Sequence, residues 1–292
     1  MTTHRSVMPQ EVLEYLRVLS NGTYIDCTLG GAGHTESILT CNGPKGRVLG
    51  IDASPDAIVQ AQTRLKKYGK RAVLVQGNFR DVVSLATLHG FGQVDGVLYD
   101  LGLSMDLLRQ SGRGFSFQEN EPLDMRFDPK QDLMAMDIVN SWKEKDIADA
   151  IFQYGQDQAS RRIAKAIVQA RRKKRFETTF DLVNVIETIL PRRGKFHPAT
   201  QTFQALRIVV NDELGVLQSS LESLATLLHT GSRIVVITFH SLEDRIVKNV
   251  FRQWGKDGFA TVLTKKVVPP TREEILANPP SRSAKLRAVE WK

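Results

Sequence analysis

The chain has 292 residues, and 41% of them are hydrophobic, which is enough for a sizeable core and excludes a disordered protein. It has 40 lysines and arginines against 32 aspartates and glutamates. The resulting net charge of +8 favours a polyanionic partner such as nucleic acid, with a merely basic protein as the alternative. The longest apolar runs, such as residues 234–239, have strand length, and the N-terminus lacks the apolar region of a signal peptide. We therefore expect a cytoplasmic protein with no membrane partner.

Cysteine and histidine are sparse. Cys27 and Cys41 form no CxxC pair, and the six histidines are scattered without the spacing of metal ligands. The sequence therefore predicts no disulfide framework and no metal site. Both cysteines are expected to be small buried residues in a reducing compartment.

Strand and helix patterns alternate over the first hundred residues. Helical patterns with one apolar face lie at residues 9–19, 34–39, 55–69 and 79–90. Apolar strand patterns lie between them, at residues 23–29, 46–52, 71–79 and 94–102. Strands that alternate with helices imply βαβ units, so we expect an α/β fold with a largely parallel sheet.

The alternation stops after Ser104. The patterns from residue 106 to residue 204 are helical, with no convincing strand run. One long helix is predicted at 202–228, ended by HTGS, and a buried strand at 233–239 and a helix at 241–254 follow. The sequence thus predicts an α/β domain of residues 1–105 and 205–292. Residues 106–204 are predicted to form an inserted helical subdomain for substrate recognition.

The first strand leads into a glycine turn, Gly31-Ala32-Gly33-His34. Dinucleotide-binding sites carry the motif GxGxxG, but here Glu36 replaces the third glycine, which weakens the interpretation as a nicotinamide or flavin site. The GK[ST] sequence of a Walker A loop is also missing, so an NTP-binding loop of that type is excluded. We expect both glycines to let a ligand approach the backbone at φ values that other residues resist. A tight turn that holds no ligand is the alternative.

Candidate groups follow four neighbouring strands. Asp26 lies in the first strand, Asp52 ends the second, Phe79 follows the third and Asp100 ends the fourth. Ligands of open α/β sheets bind at the carboxyl ends of strands, so we expect Asp52 to accept ribose hydroxyls and Phe79 to stack on adenine. The alternatives are that Asp52 caps the turn and that Phe79 belongs to the core. The pattern fits S-adenosylmethionine better than NAD, and an NAD-dependent oxidoreductase is kept as a rival.

Longer segments then become informative. The chain carries, in this order, THRSVMPQEVLEYL, DCTLGGAGHT, GIDASPDAI, YDLGLS, RGFSF, PLDMRFD, HPATQTFQALRIVVNDEL and TFHSLEDRIVK. With these segments it resembles, over nearly its whole length, the family of ribosomal RNA small subunit methyltransferase H, of the MraW type. These are 16S rRNA cytosine N4-methyltransferases.

The resemblance implies a class I S-adenosylmethionine-dependent methyltransferase, Rossmann-like, with an inserted helical domain. The implied reaction methylates the exocyclic N4 of a cytidine in the decoding region of 16S rRNA, and the implied partner is the small ribosomal subunit. Whether the chain is a monomer or a homodimer is left open. With Gly31 added from the turn, the implied cofactor contacts are Gly31, Ala32, Gly33, His34, Asp52, Phe79 and Asp100.

One segment departs from the family pattern. After DLG the family reads VSSxQLD, and this chain has Met105 and Leu107 in place of the second serine and the glutamine. Leucine lacks the donor and acceptor of an amide. A non-catalytic RNA-binding or ribosome-assembly factor that kept the fold is therefore retained as the second rival.

The residues expected at the reacting base follow the fourth strand. Asp100 and the turn to Ser104 are expected to hold the protons of the target amine, through side chains or backbone carbonyls. A flipped or single-stranded base is expected to stack on Phe115, with Arg113 near its edge or phosphate. The alternative is that Phe115 and Phe117 pack the insertion against the main domain.

Two further groups are candidates for RNA contact. Residues 161–175 contain eight lysines or arginines and no acid, so Arg171, Arg172 and Lys173 are expected to track phosphates; a solvated helical face is the alternative. His240 and Ser241 follow the strand at 233–239. One interpretation places both residues next to the substrate, and the alternative is that His240 only caps the helix that follows.

Overall fold

A computed structural model describes residues 5–102, 112–191 and 197–292. The chain forms two compact units. One comprises Met1–Ser104 with Leu214–Lys292, and the other comprises Met105–Glu213. The second unit extends past residue 204, because the helix Thr200–Asn211 belongs to it.

The first unit is built on a seven-stranded sheet. Its strands are β1 (Thr23–Asp26), β2 (Arg47–Asp52), β3 (Ala72–Gln76), β4 (Val94–Asp100), β5 (Leu228–Thr238), β6 (Ala260–Val262) and β7 (Lys285–Trp291). Their order is β3-β2-β1-β4-β5-β7-β6. The first five are mutually parallel, and β7 runs antiparallel to both β5 and β6. This mostly parallel sheet confirms the predicted Rossmann-like class I methyltransferase fold.

The central strands are apolar because helices cover both faces of the sheet. Ile234, Val235, Val236 and Ile237 of β5 are all fully buried, with alternate residues in two separate core clusters. Helices of this unit are Pro9–Leu16, Gly33–Cys41, Pro55–Leu65, Val82–Leu88, Ser241–Lys256 and Arg272–Ala277; Glu213–Ser223 begins at the unit boundary.

The predicted long helix at 202–228 is wrong. Asp212 adopts a left-handed conformation with φ +47°, which ends the helix Thr200–Asn211, and a separate helix runs over Glu213–Ser223. The HTGS segment does not stop a helix but lies inside β5. The prediction that both cysteines are buried is also wrong, since Cys27 is buried and Cys41, the last residue of its helix, is exposed.

The second unit is helical where it is described. Its helices are Ala135–Ser141, Glu144–Gly155, Ser160–Arg171, Thr179–Ile189 and Thr200–Asn211. The helix at 179–189 begins with a capping box of Thr178 and Asp181. Burial opposes ionisation of Asp181, but hydrogen bonds from Lys174 and from the backbone of Glu177 and Thr178 outweigh it and lower its pKa to about 2.

Across the described ranges, no helix is both long enough and apolar enough to cross a bilayer.

Candidate functional site

Three acidic side chains lie at the carboxyl edge of the sheet. Asp26, Asp52 and Asp100 are the last residues of β1, β2 and β4, and these parallel strands end at the same edge. The order β2-β1-β4 places the end of β1 between the other two. The edge is the one at which open α/β sheets bind ligands.

The turn after β1 is shaped by hydrogen bonds rather than by its paired glycines. Gly30 donates its N–H to Asp52 Oδ2 at 2.8 Å, and Ala32 donates to the Leu29 carbonyl at 2.7 Å. The left-handed residues are Gly30 (φ +46°) and Ala32 (φ +59°). The expectation that Gly31 and Gly33 supply unusual φ values is therefore wrong.

Gly33 is required for a different reason. A Cβ at this position would overlap the Ser6 Oγ, and the Arg64 guanidinium lies at 3.4 Å. Gly33 is also the first residue of the helix Gly33–Cys41. The missing side chain therefore makes room for the segment before the first helix of the chain.

Glu36, which stands where a dinucleotide fingerprint has its third glycine, forms ion pairs. Its carboxylate lies 2.7 Å from Arg64 Nε and 2.8 Å from Lys67 Nζ. These hydrogen bonds and charges lower the Glu36 pKa. The position serves to join two helices, which gives no support to the NAD interpretation.

Asp52 holds two turns at once. Oδ2 accepts from Gly30, and Oδ1 accepts from the Ser54 N–H at 2.8 Å. The capping role considered for Asp52 is thus present in the structure. Each carboxylate oxygen has a second lone pair, so the same group can also accept a ligand hydroxyl.

Asp26 and His34 form the buried part of the site. Asp26 is 1% exposed and accepts from the Thr35 hydroxyl at 2.7 Å and from the Thr28 N–H at 3.2 Å. Burial raises its pKa despite those hydrogen bonds and the nearby His34. His34 is 5% exposed, and its Nε2 lies 3.2 Å from Asp100 Oδ2.

The charge state of His34 depends on its acidic neighbours. Burial alone would lower the His34 pKa, but the adjacent carboxylate of Asp100, joined by the charges of Asp26 and Glu274, raises it. An imidazolium here would offset the charge of the partly buried Asp100 and of the buried Asp26, since a buried charge needs a partner.

Three buried atoms of Asp100 and His34 have no hydrogen-bond partner in the described part of the chain. They are Asp100 Oδ1, His34 Nδ1 and His34 Nε2, and the last of these is within ion-pair distance of Asp100 Oδ2. Buried polar atoms in folded proteins are almost always paired, so such atoms indicate a ligand position. The Asp100 backbone is fixed by its N–H bond to Thr28 Oγ1 at 2.6 Å. The site thus offers a positioned carboxylate oxygen for a donor group of a ligand.

Phe79 is half-buried at the end of β3. Its ring meets Tyr99 edge-on at 5.6 Å, and its carbonyl accepts from the Ser220 hydroxyl at 2.8 Å. Ser220 also contacts the Tyr99 hydroxyl at 2.7 Å. Phe79 therefore packs against the core, as expected in the structural alternative, but the residue is only partly buried.

His240 caps a helix. Its Nδ1 accepts from the Glu243 N–H at 3.4 Å and its Nε2 lies 3.0 Å from Glu243 Oε1. In return Glu243 Oε2 accepts from the His240 N–H at 3.2 Å, which completes a capping box. Ser241 begins the helix and is exposed.

In the helical unit, Arg113 and Phe115 serve packing. Arg113 is 9% exposed and donates to the carbonyls of Arg126 and Phe127 at 3.0 and 2.9 Å. Phe115 is 6% exposed and stacks on Phe127 at 5.5 Å. The expectation that Phe115 offers a stacking face to a base is therefore wrong, because its ring is already covered. Phe117 stacks on His197 within the same unit.

The basic run divides into two parts. Arg171 Nη1 donates to the carbonyls of Val139 and Trp142 at 3.0 and 2.8 Å, closing the end of the helix Ala135–Ser141. Arg172 and Lys173 lie beyond the helix Ser160–Arg171 and are exposed. The expected phosphate contacts therefore apply to these two residues and not to Arg171.

Ser104, Met105 and Leu107 lie outside the described residues. The site also contains two residues that sequence reasoning missed. They are Thr28 and Thr35, which hold Asp100 and Asp26 through their hydroxyls. The available signal was their spacing, since Thr28 follows Asp26 by two residues and Thr35 lies in the first turn of the next helix.

Comparisons with known proteins agree with this architecture. The model of the MraW methylase family matches residues 1–292. The chain is 45% identical to the ribosomal RNA small subunit methyltransferase H of Symbiobacterium thermophilum, over 98% of this chain and 96% of that protein. It is 43% identical to the protein of that name from Syntrophobacter fumaroxidans, with the same coverage of both chains.

A crystal structure of an rRNA methylase from Streptococcus thermophilus covers 96% of this chain and 94% of its own, with a TM-score of 0.46 and 10% identity. That likeness is too weak to carry an argument. The family model and the relatives do not depend on it, since each spans nearly the whole chain. The chain belongs to the MraW methylase family.

Proposed function

We propose that this protein transfers a methyl group from S-adenosylmethionine to the exocyclic N4 of a cytidine in 16S rRNA, in the decoding region of the small ribosomal subunit. Support comes from its family and from relatives named for small-subunit rRNA methylation at 41–45% identity. The observation at the site that carries the proposal is the buried, unpartnered Oδ1 of Asp100 beside the turn after β1.

The residues at the carboxyl edge fit the cofactor. Asp52 offers a carboxylate at the position expected for the ribose hydroxyls, the partly exposed Phe79 suits adenine, and the turn at residues 30–34 suits the methionine end. When bound, the sulfonium supplies a methyl group that is already activated for transfer. Arg64, one ion-pair partner of Glu36, also donates to the Gly31 carbonyl at 2.8 Å, so this ion pair holds the backbone of the turn in place.

Asp100 is assigned to the target amine or to the ammonium of the cofactor. Its free Oδ1 accepts an N–H, while Oδ2 is held by His34 and the backbone N–H by Thr28. With its backbone held by Thr28 and one carboxylate oxygen held by His34, Asp100 can present Oδ1 to the N–H group in a fixed position. Ser104, which we also assign to the amine, lies outside the described residues.

The helical unit is assigned to RNA recognition. Arg172 and Lys173 are exposed and would contact phosphates, and each such contact contributes to salt-dependent affinity. A substrate within the small ribosomal subunit places the activity in the cytoplasm. The rival function is a non-catalytic RNA-binding or assembly factor, motivated by Met105 and Leu107.

The test is transfer of labelled methyl groups to small ribosomal subunits that lack the modification. Wild type should label the RNA, and Asp100→Asn should lower the rate by about 100-fold, the effect of losing one positioned proton acceptor. The matched control is Asp95→Asn, which changes an aspartate of the same strand at its other end. A folded wild-type protein that binds subunits but transfers no methyl group would instead indicate a non-catalytic assembly factor.

A further inference from the structure

The helix Ser241–Lys256 carries a line of positive charge on its exposed side. Its members are spaced by three, four and four residues, so they lie on one face with one cation per turn, roughly 5.4 Å apart. The set, named here the cationic stripe, is Arg245, Lys248, Arg252 and Lys256.

The charges of the stripe are not neutralised by the rest of the molecule as described. All four side chains are exposed, and none forms an ion pair with a described residue. The acidic residues of the same helix form ion pairs with residues outside the stripe: Glu243 is buried against His240, and Asp244 lies 2.7 Å from Arg287. The face therefore presents about four unopposed positive charges over roughly 16 Å.

An aromatic ring stands at the far end of the stripe. Phe259 is 53% exposed, and its ring stacks on Trp291 at 5.9 Å with an angle of 17°. Its N–H donates to the Trp254 carbonyl and its carbonyl accepts from the Lys292 N–H, both at 2.9 Å. One face of the ring is thus backed by protein, the backbone is fixed on both sides, and more than half of the residue is open to solvent.

The near end of the stripe belongs to the end of the helix that follows the carboxyl edge of the sheet. The helix Ser241–Lys256 starts directly after β5, whose neighbour β4 ends in Asp100. Arg245 belongs to the second turn of that helix, and the later cations lead away from the carboxyl edge of the sheet. The stripe therefore runs from the end of the helix next to β5 toward the segment that carries Phe259, three residues beyond Lys256.

We propose that the cationic stripe and Phe259 form a second RNA-binding surface, which holds a single-stranded segment of the rRNA substrate that flanks the target base. A line of cations that ends in a mounted aromatic ring is the arrangement by which proteins track a single-stranded backbone and stack one base. A single exposed aromatic residue is common on protein surfaces and does not by itself indicate a binding site. Here the charge complementarity of the stripe identifies a polyanion as the occupant. This proposal rests on the proposed function, because it assumes an RNA substrate.

The first test measures equilibrium binding to unmodified small ribosomal subunits over a range of salt concentrations. The stripe variant replaces Lys248, Arg252 and Lys256 by glutamine. The matched control replaces three exposed lysines that precede β2 and β3, at the other end of the strand order from β5, β7 and β6, also by glutamine: Lys45, Lys66 and Lys70.

The slope of log affinity against log salt should become shallower by about 2 in the stripe variant, at about 0.7 per single-strand phosphate contact. The control, which loses the same charge, should keep the wild-type slope. Equal slopes in the stripe variant and the control would overturn the proposal. Because binding is measured without methyl transfer, this result is independent of whether the proposed reaction occurs. Unchanged S-adenosylmethionine affinity in both variants should show that the cofactor site is intact.

The second test removes the ring alone. Phe259→Ser should weaken subunit binding by at least about 5-fold without changing the salt slope, since stacking of one base is lost and no charge is removed. Leu88→Ser, at an apolar residue that is 77% exposed elsewhere on the unit, is the matched control and should bind as wild type does. Equal affinities of the two variants would show that Phe259 is not part of an RNA surface.

Discussion

Asp52 accepts hydrogen bonds from two turns and is also proposed to bind the cofactor, so its structural and ligand-binding roles can be measured separately, as stability and as affinity. Asp52→Ala removes the acceptor of the Gly30 and Ser54 N–H groups, each bonded at 2.8 Å. It also removes the proposed partner of the ribose hydroxyls. The substitution should therefore lower both the free energy of unfolding and the affinity for S-adenosylmethionine.

The expected magnitudes follow from the charge on the acceptor. A hydrogen bond to a charged group contributes about 1.5–3 kcal/mol, and both backbone donors are partly buried, so we expect a loss of about 3 kcal/mol of stability. For a unit of this size that corresponds to a fall in Tm of roughly 6–12 °C. Loss of the ribose contact should weaken cofactor binding by about 10-fold or more.

Titration calorimetry measures the affinity and thermal unfolding measures the stability. Asp95→Ala is the matched control, because Asp95 also accepts a backbone N–H, that of Thr23 at 2.7 Å, but at the amino end of β4. It should lower Tm and leave cofactor affinity unchanged. If Asp52→Ala lowered Tm but bound S-adenosylmethionine as tightly as Asp95→Ala does, Asp52 would be a turn cap with no role in binding.

Three further predictions concern stability. Gly33→Ala should lower Tm because its Cβ overlaps the side chain of Ser6, and Ser6→Gly in the same chain should restore it; no restoration would show that backbone conformation is the cause. His34 has a raised pKa, so its contribution to stability is complete below its unfolded pKa of 6.5 and is lost as the pH rises through the folded value. The unfolding free energy, followed by denaturant titration, should fall above pH 6.5 in wild type and less in His34→Asn; parallel pH profiles would refute the assignment. Asp181 has a pKa lowered from 3.8 to about 2, so Asp181→Asn should reduce stability at pH 7 by about 2 kcal/mol, and the difference from wild type should vanish as the pH falls through 2; a difference that persists there would not be electrostatic.

Much of the sheet was predictable from the sequence because its central strands are buried on both faces. The central parts of these strands, residues 97–99 of β4 and 234–237 of β5, are apolar, and the two strands end in the polar residues Asp100 and Thr238 at the carboxyl edge. Strands β6 and β7 were missed. β6 has only three residues, and the alternation of charged and apolar residues in β7 breaks at the adjacent Ala288 and Val289, which weakens the strand signal.

The candidate site was predictable at the level of strand ends but not of contacts. That Asp26, Asp52 and Asp100 share one edge follows from parallel strands. The approach of His34 to Asp100 does not, because it depends on how the helix Gly33–Cys41 is placed over the sheet. The break at Asp212 was equally hidden, since aspartate adopts the left-handed conformation only where local contacts favour it, and the apolar spacing runs unbroken across it.

The basic residues show the limit of charge patterns. The run at residues 171–175 contains both a packed residue, Arg171, and exposed ones, and a count of charges does not distinguish them. The cationic stripe is less dense in the sequence than that run, with one cation in three or four residues. It becomes visible only when the helix Ser241–Lys256 places those cations on one exposed face.

The most direct test of the central claim identifies the modified nucleoside. Small ribosomal subunits that lack the modification are incubated with the protein and S-adenosylmethionine, and their RNA is digested and analysed by mass spectrometry. The proposed function predicts N4-methylcytidine, formed by wild type and strongly reduced with Asp100→Asn. Methylation of another atom, or no methylation by a folded protein on competent subunits, would contradict it.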